Sequence, residues 1–177
     1  MPTVLTHPAV PLALGAVAGG DRVCGRLLVA GVIASVLPDA DVLGFRWGVP
    51  YASEFGHRGF SHSLLFAVLL AITAAAAARF LRASRGTAAW FVGLSCASHG
   101  LLDMLTNGGK GVAYFWPVSA ERFFFPARVI EVSTLNLRRF FSSAGISTLS
   151  SELRWIWLPA AVIACAGLVI RRGRTAG

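Results

Sequence analysis

Within seven residues, His57-Arg58-Gly59-Phe60-Ser61-His62-Ser63, the chain places two of its four histidines, an arginine and two hydroxyls. A long apolar run begins directly afterwards. Polar groups this dense at the mouth of a membrane-length segment are costly to keep unless something binds there. The other two histidines, His7 and His99, stand beside similar boundaries, Asp103 follows His99 by four positions, and Asp39 and Asp41 end another apolar run. Imidazoles and carboxylates without thiolate suit zinc, with manganese as the alternative. The seven candidate ligands, His7, Asp39, Asp41, His57, His62, His99 and Asp103, allow one or two divalent ions.

Each piece also has a plainer reading. On a helix, His99 and Asp103 share one face, one turn apart, and could bind the same cation or simply bond to each other. Asp39 and Asp41 repel each other unless a cation neutralises them; otherwise they are a solvated turn and cap. His57 and His62 flank a glycine-containing loop in which Ser61 or Ser63 could cap a helix. His7 alone could be incidental. A metal centre lowers the pKa of a bound water and clamps a phosphoryl group. In such a site Arg58 could hold a phosphate through a bidentate pair, or else touch lipid headgroups. His57 and Glu54 are further catalytic candidates: His57 as a ligand or a partner behind the ligands, Glu54 as a base or such a partner, although Glu54 reads more readily as a solvated loop residue. Lys110 and Arg122 are weaker phosphate candidates. Ser61 has no evident partners for a nucleophilic triad.

The elements that must position these groups are membrane elements. Of 177 residues 55% are hydrophobic and 14% charged, and the mean hydropathy is +0.67. A soluble domain of this size needs more polar surface. The net charge of +8 comes from arginines beside apolar runs, which points to anionic lipid and topology rather than nucleic acid. Cys24, Cys96 and Cys165 sit far apart in apolar context and read as small core residues. No removable signal peptide and no lipidation motif is evident.

The pattern predicts an all-α integral membrane bundle of about five segments, near 8–20, 23–37, 64–81, 87–106 and 153–170, in a single domain. A polar loop is expected over 38–61. Residues 107–152 read as a long connection rich in aromatics, lying in the headgroup region, with an interfacial helix around Ser133 to Phe141. Arg22 and Arg26, then Arg79, Arg82 and Arg85, then Arg171, Arg172 and Arg174 fall on one side of such a bundle. That side, with the C-terminus, is expected to be cytoplasmic. All seven candidate ligands then fall at the opposite, extracytoplasmic face.

Three stretches together resemble a known family. Leu37-Pro38-Asp39-Ala40-Asp41, the 57–63 stretch, and Ser98-His99-Gly100-Leu101-Leu102-Asp103-Met104-Leu105-Thr106 are similar in order and spacing to the bacterial LexA-regulated, membrane-bound metal-dependent hydrolases. An aromatic residue before Trp116-Pro117 and the early His7 also fit. Ser61 stands where many members have threonine, which keeps the hydroxyl. The resemblance covers roughly residues 5 to 120. It implies a multi-helix protein of the bacterial inner membrane with a metal site made by these histidines and aspartates. The His-x-x-x-Asp pattern is more distantly similar to zinc-dependent phospholipase C and P1-type nucleases, which hydrolyse phosphoesters.

The expected function is metal-dependent hydrolysis of a lipid or lipid-linked phosphoester, with membrane lipid as the partner. Two other classes fit the same residues. One is a small transport or sensor protein for a divalent cation, which should carry a polar stripe across the membrane. The other is a structural partner whose helices are stapled by metal.

Overall fold

The computed structural model describes residues 1–133 and 142–175, and every regular element among them is helical. Helix α1 spans Ala9–Ala18 and stops at Gly19, whose φ of 86° suits only a residue without a Cβ. Helix α2 spans Gly25–Val36. At Leu37-Pro38 the missing proline N–H breaks the α ladder, and the chain tightens into a 3-10 helix over Leu37–Trp47 that ends at left-handed Gly48. The predicted loop over 38–61 is therefore helical for its first third, and both Asp39 and Asp41 ride on that helix.

A 3-10 turn over Phe60–His62 leads into α3, Leu64–Ala76, with Ser63 Oγ accepting from the Phe66 amide as its N-cap. Helix α4 spans Arg85–Met104 and is capped in the same way by Ser84. The last helical stretch begins ten residues before the predicted 153. It comprises α5, Ser143–Glu152, a π turn over Leu153–Trp157, and α6, Leu158–Thr175. The expected interfacial helix near 133–141 falls almost wholly outside the described residues.

Helix α4 is the axis. Its buried residues Ala88, Phe91, Val92, Ser95, Cys96, His99, Gly100, Asp103 and Met104 form one stripe at helical spacing, apolar at the start and polar at the end. The apolar part packs against Leu27 and Ala34 of α2 and Ala67 and Ala74 of α3. Small residues let the backbones approach closely. A Cβ on Gly31 would come within 2.3 Å of the Phe91 ring. Helix α1 lies on α4, α2 and α6.

The surface is inverted relative to a soluble protein. Val29 and Ile33, then Val68 and Ile72, then Val162, Ile163 and Val169 are more than half exposed, whereas His7, Arg58, His99 and Asp103 are fully buried. An apolar outside around a polar inside is the distribution lipid selects. Two helical stretches, Gly25–Trp47 with 23 residues and Ser143–Gly173 with 31, are long and apolar enough to cross a membrane. Helices α1 and α3 are too short to do so alone, since 10 and 13 residues reach only about 15 and 20 Å.

Residues 107–133 fold back over the end of the bundle that holds the histidines. Val112 pairs with Phe123 through both backbone bonds, Asn107 N–H donates to the Ile130 carbonyl, and Ala113 N–H to that of Arg58.

Replacing Gly31 by alanine forces the buried Phe91 ring out of its seat. The expected cost is about 1–3 kcal/mol, read as a lower unfolding midpoint in detergent. An unchanged midpoint would show that the α2–α4 seam is not close-packed at this position.

Candidate metal centre

The order of the helices brings the ligand-type residues together. His7 precedes α1, Asp39 and Asp41 follow α2, His57 and His62 precede α3, and His99 and Asp103 end α4. In an up-and-down bundle all four places lie at one end. The arginine-rich turns lie at the other, where Arg26 Nη1 donates to the Phe80 carbonyl at 3.1 Å and Arg171 packs by Gly19.

An inner group consists of His7, Asp39, His62, His99 and Asp103. His99 Nε2 is 3.1 Å from His62 Nε2 and 3.4 Å from Asp39 Oδ1. His62 Nε2 lies 3.7 Å from Asp39 Oδ1 and 3.5 Å from Asp103 Oδ2. His7 Nε2 is 3.8 Å from Asp39 Oδ2 and 3.9 Å from Asp103 Oδ1, and its ring stacks on His99 at 3.7 Å. Donors bound to one zinc at 2.0–2.1 Å in a tetrahedron are about 3.3 Å apart. The spacing therefore fits a shared cation. So does the bonding: both oxygens of Asp39, Oδ1 of Asp103 and both nitrogens of His7 are buried without a hydrogen bond. Orphaned buried carboxylate oxygens are expensive unless a cation meets them. Asp39, His62, His99 and Asp103 form a cluster that could hold a metal ion.

The outer bonds aim the inner ones. His99 Nδ1 faces the Ser35 carbonyl on α2 at 2.8 Å, so that nitrogen carries the proton and Nε2 turns its lone pair to the cluster. His62 Nδ1 faces Asp41 Oδ2 at 3.2 Å. Asp41 also accepts from His57 Nδ1 at 2.6 Å, Ser61 Oγ at 2.6 Å and the Arg58 amide at 3.2 Å. With His57 it makes a second cluster around His62 that could hold a cation. Its oxygens, however, are already taken by four donors. The geometry thus divides the seven predicted ligands into four that converge, His7 beside their carboxylates, and a pair, Asp41 and His57, behind His62.

Arg58 departs from the sequence expectation of a phosphate clamp. Its φ of 64° turns it inward, where it is fully buried. Nε lies 2.9 Å from Asp103 Oδ2, Nη1 donates to the Gly108 carbonyl, and Nη2 donates to Thr106 Oγ1. The guanidinium compensates Asp103 and has no open fork for a ligand. Glu54 follows the solvated-loop reading: it is exposed and accepts from Trp116 Nε1 at 3.3 Å. Sequence reasoning missed Ser35, whose contribution is a backbone carbonyl, and Thr106, whose hydroxyl props the guanidinium.

Electrostatics place a proton within the cluster. Burial alone would strip His62 of its proton, but the hydrogen bonds to Asp103, Asp39 and Asp41 outweigh it and push its pKa up to about 10. His62 thus donates from both nitrogens, to Asp41 and to His99. Burial pushes His7 down to about 3, so it stays neutral with a lone pair ready. The His62 contribution to stability is full below its unfolded pKa and is lost as pH rises through about 10. That of His7 is lost as pH falls towards 3.

Two outcomes follow. Zinc binding at neutral pH should expel about one proton, the one on His62 Nε2, measured by calorimetry in buffers of different ionisation enthalpy; no release would place the metal elsewhere. Arg58→Met should destabilise the bundle by about 3–5 kcal/mol by leaving Asp103 uncompensated. A stability equal to wild type in detergent unfolding would return Arg58 to the role of ligand-binding group.

Comparison with known proteins gives a consistent picture. The family model described as YdjM inner membrane protein matches residues 1–175, well beyond the stretch that carried the sequence resemblance. Inner membrane protein YbcI of Escherichia coli (strain K12) is 48% identical over 160 residues, 90% of this chain and 92% of that protein. Inner membrane protein YdjM of the same strain is 36% identical over 107 residues, 52% of this chain and 50% of that protein. YdjM of Shigella flexneri matches to the same extent. No solved structure matches. With an all-helical structure and two helical stretches of spanning length, the chain belongs to the YdjM inner membrane protein family.

Proposed function

We propose that this chain is a membrane-bound, metal-dependent hydrolase that cleaves a phosphoester of a lipid or lipid-linked substrate. The observation that carries the reading is the inner group: two imidazoles and two carboxylates converging, with His7 beside them and with both Asp39 oxygens and Asp103 Oδ1 lacking a hydrogen bond. Oxygen and nitrogen donors at this spacing suit zinc, held as one ion by Asp39, His62, His99 and Asp103 with His7 beside them. Zinc there would supply an activated water and polarise a phosphoryl oxygen. The His99-x-x-x-Asp103 pattern, shared in form with phosphoester-cleaving zinc enzymes, agrees with this chemistry.

The chain's own residues divide the remaining work. His57 holds its Nδ1 proton against Asp41, which leaves Nε2 to take a proton from water. Arg58 fixes Asp103. Lys110, exposed and 5.8 Å over the Tyr51 ring, which in turn abuts the His57 ring, is the cation placed to meet a phosphate from outside. We read the bundle as five membrane segments, α1 and α3 being short or tilted ones. The arginine-rich end faces the cytoplasm and the cluster faces away from it, in the inner membrane as for the family.

A metal staple is the second reading. It is favoured by one observation: His7, His62, His99 and Asp103 are at most 2% exposed, which is typical of a closed structural site.

The test is metal content of the detergent-purified protein by inductively coupled plasma mass spectrometry, followed by hydrolysis of phospholipid phosphoesters. Wild type should carry about one zinc per chain, and His99→Ala and Asp39→Ala should lose it. His57→Ala should keep the metal and lose turnover by about 10²–10⁴-fold. A metal-free wild type, even after zinc is added back, would end both readings. Bound zinc with no turnover, and unfolding on chelation, would select the staple.

A further inference from the structure

Outside the histidine–aspartate cluster, Glu152 is the one carboxylate fully buried among the described residues, at 1% exposure. It closes α5, in the part of the chain that no sequence motif pointed to. Its Oε2 accepts from Thr3 Oγ1 and from Thr6 Oγ1, each at 2.7 Å, and its Oε1 accepts from the Thr3 amide. Trp157 Nε1 donates to the same Thr6 hydroxyl at 3.1 Å. Glu152 and Trp157 are five positions apart, which would set them about 140° apart around a regular α-helix. The π turn over Leu153–Trp157 widens the helix at this place, and both side chains reach Thr6.

Thr6 precedes His7. Neither nitrogen of the His7 ring makes a hydrogen bond, so the ring is placed by its stack on His99 and by the backbone that carries it. That backbone is pinned by the Glu152 carboxylate on one side. On the other, Ala9 packs with Ile130 and Ile156. Every other member of the inner group is aimed by a partner of its own or stands on a helix of the bundle. His7 alone reaches the cluster from a short segment held by a distant helix.

We infer that Glu152 is a positioning residue for His7: through Thr3 and Thr6 it holds the N-terminal segment so that the imidazole enters the metal cluster. The inference rests on the metal reading given above. A carboxylate acting through a ligand in this way typically governs metal affinity by about 10–100-fold.

The experiment is a double-mutant cycle on zinc affinity, with wild type, Glu152→Ala, His7→Ala and the double variant measured by competition with a chelating dye. Glu152→Ala should weaken zinc binding about tenfold or more. In the His7→Ala background the same change should alter affinity by less than about twofold. Equal losses in both backgrounds, or none in the first, overturn the inference. Should Glu152→Ala fail to fold, Thr6→Val removes the shared hydroxyl with little change in shape and is judged by the same two criteria. Hydrogen exchange separates the inference from the metal reading. If wild type binds no zinc, the latch stands on loss of protection at the Thr3, Thr6 and Ala9 amides in Glu152→Ala, and unchanged protection overturns it.

Discussion

Carboxylates cannot stay charged in an apolar bundle without compensation, and this requirement organises the molecule. Asp39 and Asp103 are at most 5% exposed and sit among three imidazoles and one guanidinium. Each compensating group needs an orientation, and each orientation is supplied by a different element. The Ser35 carbonyl on α2 turns His99 on α4, Asp41 on the 3-10 helix turns His62, and Thr106 with Gly108 turns Arg58. The cluster is therefore also the seam that joins α1, α2, α3 and α4 at one end. At the other end the same helices meet through small residues and arginines, with Arg26 donating to the Phe80 carbonyl.

Much of this was legible in the sequence because it depends on spacing. His99 and Asp103 had to share a face of α4, and the buried stripe that begins at Ala88 runs straight into them. The places of His7, Asp39, His62 and His99 at one end followed from counting apolar runs and reading where arginines interrupt them. The helical middles of α3 and α4 were likewise plain, because long apolar runs closed by Arg79, Arg82 and Arg85 in one case and by Asn107-Gly108-Gly109 in the other leave few alternatives.

What was not legible depends on direction rather than spacing. A sequence cannot show that Arg58 takes a positive φ and sends its guanidinium inward, so an arginine between two histidines reads equally well as a phosphate clamp. Asp41 looks like Asp39 in composition, yet four donors already fill its oxygens. The 3-10 continuation through Leu37–Trp47 was hidden because proline and aspartate ordinarily signal a loop. The early start of the C-terminal helix was hidden because Ser143–Glu152 is rich in serine and glycine and is stabilised by the N-terminal segment it grips.

The grip of Glu152 on Thr3 has a bearing on how the protein is made. These two residues are 149 positions apart, and α1 with its leading segment is synthesised long before α5. Helices α1 to α4 can pack as they emerge, with Asp39, His62, His99 and Asp103 already gathered. On the positioning role of Glu152, His7 is held in place only once α5 has formed and its carboxylate can reach Thr3 and Thr6. The ligand-type residue made first is then the one secured last.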